Sequence, residues 1–205
     1  MKKGFTLAEV LLTLGIIGVV AAVTLPTLDI SVKKQKVGPS LAKAINTLTN
    51  ANRLALVQND ARSLTSLGCP DNYINVLSEY SKGVISGNNF KTTDGMEYIM
   101  IGSGNQPNVP AKYKGSYKMV DIDINGTNRQ PNLAGEDKFR VYVDMNGDVI
   151  PYGGSQYKEY TGGGAVLWES QCKGDTIVDG YSCTGSIADN DWSVRYNISK
   201  VRSSQ

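Results

Sequence analysis

Residues 1–28 read MKKGFTLAEVLLTLGIIGVVAAVTLPTL, and one side chain breaks the pattern. Glu9 is the single ionisable group in the 24 positions 5–28, which otherwise hold apolar, small or hydroxyl residues and one proline. At about 1.5 Å rise per residue such a helix spans roughly 36 Å, enough to cross a hydrocarbon core of about 30 Å. A carboxylate inside that core costs about 2.5–3.5 kcal/mol on insertion scales. A secretory signal peptide fits Lys2, Lys3 and the alanines at 21 and 22, but its apolar region is shorter, about 7–15 residues. A plain transmembrane anchor fits the length. Neither accounts for Glu9.

A third reading does. Lys2-Lys3-Gly4, then Phe5-Thr6-Leu7-Ala8-Glu9 and an apolar helix, resembles the class III signal of type IV pilins and type II secretion pseudopilins. The resemblance implies cleavage by a prepilin peptidase between Gly4 and Phe5, with methylation of the new N-terminus at Phe5. It places Glu9 fifth in the mature chain, as an assembly residue facing the N-terminal amine of a neighbouring subunit. An unpaired buried charge is expensive, so such a pair would act as a register device. Pro26 stands where members of that family often carry a helix-kinking proline.

The helical signal continues past residue 28 on a wetter surface. Lys33, Lys34 and Lys36 follow the apolar run, and Val37, Leu41, Ile45, Leu48, Ala51 and Leu54/Ala55 recur at three- and four-residue steps. Lys43, Asn46, Asn50 and Arg53 fall on the opposite face. Gly38-Pro39 interrupts the pattern, and a kink or a break restarted at Pro39 is expected there.

Beyond Asn59-Asp60 the composition turns to Gly, Asn, Tyr and Ser with short β-type segments. A short helix is expected at 71–80, with Tyr73, Ile74 and Leu77 inward. Strands are expected at 96–101, 117–124, 138–143, 148–151, 165–168, 180–188 and 192–198. Asn146-Gly147 reads as a turn, and Asp189-Asn190-Asp191 as the turn of a C-terminal hairpin. The expected class is α+β and pilin-like: a long N-terminal hydrophobic helix packed on a C-terminal antiparallel β-sheet domain. The expected division is a leader at 1–4, an N-terminal helix at 5–58 and a globular β-rich domain at 59–205. Within the helix, 5–28 is the transmembrane and assembly segment and 29–58 the amphipathic part.

Composition narrows the chemistry. The chain has no histidine, which excludes Ser-His-Asp and Cys-His nucleophile systems and histidine-ligated zinc. The 21 basic and 19 acidic residues give a net charge of +2, no footprint of a nucleic-acid binder. Gly162-Gly163-Gly164 has no GKS or GKT beside it and reads as a loop. An enzyme is not expected, and no cofactor is called for.

Residues 120–139, VDIDINGTNRQPNLAGEDKF, resemble a stretch found in many bacterial pilin-like proteins with this leader. Asp121, Asp123 and Asn125 also open like an EF-hand calcium loop. Position twelve of that loop is Asn132 rather than the bidentate glutamate, so a hydrogen-bonded turn is expected and calcium is the alternative. The second acidic turn, Asp144 to Asp148, is a weaker candidate. Of the three cysteines, Cys172 and Cys183 lie eleven apart in a loop-rich region and suit a disulfide in an oxidising compartment, worth about 3 kcal/mol. Cys69 is free, buried or a partner of either, and three reduced thiols is the alternative; spacing does not assign connectivity.

The resemblance implies a filament subunit of a type II secretion pseudopilus or type IV pilus. Its partners would be the peptidase, other pilin or pseudopilin subunits and an inner-membrane assembly platform. It would sit in the inner membrane as a single-pass protein with its C-terminal domain extracytoplasmic, and its filament would lie in the periplasm or at the cell surface. The competing class is a monomeric, membrane-tethered binding or adhesin protein.

Overall fold

The computed structural model describes residues 4–201, and of Pro26, Thr27 and Thr176 the backbone alone. The first helix, α1, runs unbroken over Leu7–Gln58. Its two halves differ in what surrounds them. Phe5 and Leu7 are 88% and 78% exposed, whereas Leu41, Ala44, Leu48 and Ala55 have no exposed surface at all. The apolar stripe from Val37 is therefore the face buried against the rest of the chain, with Ile30 and Lys33 touching its margin, whereas residues 7–25 are almost wholly exposed. At the end of the stripe Ala55 turns inward and Leu54 stays half exposed.

Gly38-Pro39 does not break α1. Gly38 is buried because the chain near Trp192 crosses it: a Cβ there would lie 1.7 Å from the Trp192 carbonyl oxygen. Pro39 is exposed, so its missing N–H strands no buried acceptor on a partner. The glycine is there for the close approach rather than as a hinge.

A short helix, α2 (Tyr73–Tyr80), follows, with Tyr73, Val76 and Leu77 buried and Ile74 partly so. Six strands then form one antiparallel meander in chain order: β1 (Gly83–Ser86), β2 (Asn89–Thr92), β3 (Glu97–Asn105), β4 (Ser116–Asp123), β5 (Lys138–Asp144) and β6 (Val149–Pro151). Register pairs Met100 with Val120, Ile122 with Phe139 and Val141 with Pro151, with an irregularity between Met100 and Gly102. Period-two alternation sends Tyr98, Val120, Ile122, Phe139 and Val141 into one core with α1 and α2. The opposite face carries a smaller cluster of Tyr113, Tyr142, Ile150 and Tyr160. Tyr113 and Tyr160 meet edge to face at 5.0 Å.

Three polar ties fix α1 on this core. Tyr98 donates to the Ala44 carbonyl at 3.1 Å. Asn52 is fully buried; it accepts from the Tyr73 hydroxyl at 2.9 Å and donates to the Gly147 carbonyl at 2.9 Å. That carbonyl belongs to the β5–β6 turn, where Gly147 has φ +95°. One amide thus joins α1, α2 and the sheet.

The C-terminal region departs from expectation. Residues 180–188 form a 3₁₀ turn (Gly180–Ser182) and a helix, here α5 (Cys183–Asp189), instead of a strand. Residues 192–198 form no strand beyond an isolated bridge from Tyr196 to Gly174, and among the described residues there is no C-terminal hairpin. Residues 165–168 form a loop entering a one-turn helix, α4 (Trp168–Gln171). The reason is packing. Cys183 through Ile187 are buried on every side, so they carry no alternation, and a Cβ on Gly185 would lie 2.1 Å from the Gly154 amide nitrogen. Asp189 is not a turn residue but a hub. It accepts from the Ser155 amide at 2.8 Å, at the start of helix α3 (Ser155–Tyr160), and from the Trp168 indole at 2.8 Å.

Candidate processing and assembly site

Residues 4–6, before α1, are exposed and not helical. Gly4 has nothing within 4 Å of its Cβ position, and Phe5 projects into open space. Both residues flanking the Gly4–Phe5 peptide bond are exposed. Residues 1–3 of the leader lie outside the described residues.

Helix α1 then starts under a reciprocal cap. Thr6 has extended backbone angles, φ −79° and ψ 152°, and its hydroxyl accepts from the Glu9 amide at 3.3 Å. The Glu9 carboxylate in turn accepts from the Thr6 amide at 2.8 Å and the Thr6 hydroxyl at 2.9 Å. This is a capping box, with an acidic group against the positive end of the helix dipole. Both residues lie after the Gly4–Phe5 bond, so cleavage there leaves the box whole. The motif Thr-x-x-Glu before an apolar run was visible in the sequence, and Thr6 was passed over. Glu9 therefore has a use within one chain, which the sequence reading denied to a simple tether.

From residue 7 to residue 25 the helix is exposed on all sides save partial cover at Ala21, with Leu11, Ile17, Val19 and Val23 among the bare side chains. Pro26 lies within α1; its side chain is outside the described residues. Among the described residues α1 is the one helix long and apolar enough to span a membrane. Residues 1–25 match the prokaryotic N-terminal methylation motif. The chain carries the class III prepilin signal of type IV pilins and pseudopilins. No curated protein and no solved structure matches the chain. The prepilin signal implies processing by prepilin peptidase and assembly with other pilin subunits. With the long apolar helix, it fits anchoring in the inner membrane and points to a structural subunit.

The remaining candidates fall into two places. Cys172 and Cys183 are bonded, with Cα atoms 5.2 Å apart, and the bond ties the short strand β7 (Cys172–Lys173) to α5. Cys69 is free and buried, and burial pushes its thiol up to about 11. Such a thiol stays protonated and inert at neutral pH.

The β4–β5 loop separates the three calcium candidates. Asp121 is taken by Arg140 in a bidentate pair, Nε to Oδ1 at 2.6 Å and Nη2 to Oδ2 at 2.9 Å. The guanidinium also lies 3.8 Å from the centre of the Tyr181 ring. Asp123 and Asn125 remain together: the Asn125 amide donates to Asp123 Oδ1 at 3.2 Å, and the Asn125 side chain donates to Asp137 Oδ2 at 3.2 Å. No group of three or more His, Cys, Asp and Glu side chains is gathered as a metal site among the described residues. The loop offers two carboxylates and two carboxamides instead.

Proposed function

We propose that this protein is a pilin-like structural subunit, stored in the inner membrane and polymerised through the N-terminal half of α1 into a type II secretion pseudopilus or a type IV pilus. The observation that carries the reading is the contrast within one helix. A prepilin signal heads the exposed and mostly apolar residues 5–25, and the sheet domain buries the face of α1 from Val37 onward. Hydrocarbon covers such a segment before assembly and neighbouring helices cover it afterwards. The reading divides the chain into leader 1–4, assembly segment 5–28, amphipathic segment 29–58 and globular domain 59–205, and the exposed first part and half-buried second part of α1 support it. The globular domain faces the extracytoplasmic side, where the Cys172–Cys183 bond persists.

In this account the free amine at Phe5 of one subunit meets Glu9 of another. Glu9→Gln isolates that charge, because glutamine also closes a capping box. The variant should insert and be cleaved normally, yet its ratio of sheared filament to membrane-pool protein should fall at least tenfold in cells with the native assembly machinery. A buried half-pair costs about 3–5 kcal/mol, ample for such a loss. Equal ratios for the two proteins would remove the assembly role and favour a membrane-tethered monomer, in which Glu9 serves the cap alone.

A further inference from the structure

Three side-chain oxygens in the β4–β5 loop are buried without a hydrogen-bond partner: Asp123 Oδ2, Asn125 Oδ1 and Asn132 Oδ1. Asp123 ends β4 and the other two lie in the segment that follows; Asp123 accepts from the Asn125 backbone amide, and the Asn125 side chain and the Asn132 backbone amide both donate to Asp137. Asp137 Oδ2 accepts from the Asn132 amide at 2.8 Å and from the Asn125 side chain at 3.2 Å; Oδ1 accepts from the Leu133 amide at 2.6 Å. The carboxamides cannot be turned round to hide their oxygens. Asn125 Nδ2 is committed to Asp137, and Asn132 Nδ2 to the Thr127 carbonyl at 3.0 Å. Each flip would lose a donor contact and set a carbonyl against an acceptor.

Charge makes the same demand. Asp123 has no exposed surface and Asp137 is 3% exposed, and neither has an ion pair among the described residues. Glu97 stands directly across the β3–β4 ladder from Asp123. Glu97 is provided for, since Thr127 donates to it twice, at 3.0 and 2.7 Å, and Asn89 once at 2.8 Å. Lys138 is the cross-strand neighbour of Asp123 on β5 but forms no ion pair with it. Lys33 and Lys36 of α1 border the cleft beside Asn125 and Asp137, and Lys33 is held by Glu136 at 3.0 Å. A buried carboxylate oxygen without a hydrogen-bond donor, such as Asp123 Oδ2, is costly, and the neighbouring Asp137 carboxylate adds to that cost.

We propose that the β4–β5 loop holds a divalent cation, calcium by the chemistry of its donors, between the Asp123 carboxylate and the carboxamide oxygens of Asn125 and Asn132, with Asp137 supplying the second negative charge. The donor set is all oxygen, which suits a hard cation, and two carboxylates balance a charge of two. Calcium takes six to eight oxygens, so loop carbonyls and water have room beside the three side chains. The site differs from an EF-hand: it spares Asp121, which Arg140 already occupies, and recruits Asn132 and Asp137 from the far side of the loop. It stands on the loop alone and is independent of the filament reading.

The test uses the full-length protein in detergent micelles, stripped with EGTA and titrated with CaCl₂ or MgCl₂ by calorimetry and thermal unfolding. One calcium per chain should bind and raise the melting temperature, with a Kd of about 10⁻⁴–10⁻³ M as for extracellular modules. Magnesium should bind at least tenfold more weakly, because it demands octahedral geometry and gives up water reluctantly. Asp123→Asn is isosteric and should fold while losing at least tenfold in calcium affinity; Asn132→Ala is the second variant should the first fail. Asp148→Asn, in the other acidic turn, should bind like the wild type. Absence of both heat and melting shift at several millimolar calcium would overturn the proposal. So would a folded Asp123→Asn or Asn132→Ala protein that binds as tightly as the wild type.

Discussion

Asp123 is fully buried and one of its carboxylate oxygens has no hydrogen-bond partner. Burial raises its pKa first and the nearby Asp137 charge adds to it, outweighing the amides of Asn125 and Gly126 and the charge of Lys138, so the carboxyl is pushed up to about 6. Glu97, across the ladder, shows the opposite outcome: burial also works to raise it, but the donors from Thr127 and Asn89 win and hold it below the usual carboxylate range. For Asp123 the folded protein binds its proton more tightly than the unfolded chain does. Its contribution therefore stabilises as pH falls through about 6 toward the ordinary aspartate range, and is lost as pH rises again. In EGTA, Asp123→Asn should be more stable than the wild type at pH 7 by about 1–2 kcal/mol after allowance for solvent screening, and the gap should close near pH 4. Denaturant midpoints across pH measure this. Asp144 is raised by burial too and titrates in both proteins, so the difference between them isolates Asp123.

At the scale of elements, Gly38 sets a test of sign. In an exposed helix interior Gly→Ala gains about 1 kcal/mol. Here the new methyl would sit 1.7 Å from the Trp192 carbonyl oxygen, and backbone cannot swing aside as a side chain can. Gly38→Ala should cost at least 2 kcal/mol and expose the segment after α5, read as a lower melting temperature and faster proteolysis near Trp192. The same glycine shows where sequence patterns lose resolution. The stripe from Val37 to Ala55 was legible because α1 is covered on one face and wet on the other, and periodicity records that difference. The strands from β3 to β6 were legible from their β-type composition between turn signals such as Asn146-Gly147. Helix α5 was not, since Cys183–Ile187 are covered on all sides and small residues there answer to backbone contacts with Gly153 and Gly154. Strands β1 and β2 escaped notice because β1 is mostly exposed on both faces. Asn52, on which the sequence carried no reading, is a buried tie, visible only once Tyr73 and Gly147 are placed beside it. At the candidate sites, the leader and Glu9 could be read from local order alone. The cap at Thr6 was equally local and was missed, whereas the exclusion of Asp121 and the inclusion of Asn132 and Asp137 depend on the strand register.

The whole molecule divides its apolar surface between two destinations. One part closes a core between α1, α2 and the sheet. The other, residues 5–25, stays bare on a monomer and would not stay bare in water, since exposed apolar surface of that extent marks a membrane or a partner. In the proposed function both coverings are successive states of one chain, and the switch between them would begin with cleavage of the bond between Gly4 and Phe5. Cleavage there converts an amide into a charged amine four residues from a carboxylate already held at the helix start by Thr6. Intact mass of the protein recovered from membranes of cells that contain prepilin peptidase tests this most directly. The mature species should lack residues 1–4 and carry one added methyl group on Phe5. Recovery of a chain that still begins at Met1, with the peptidase active on another substrate in the same cells, would contradict it.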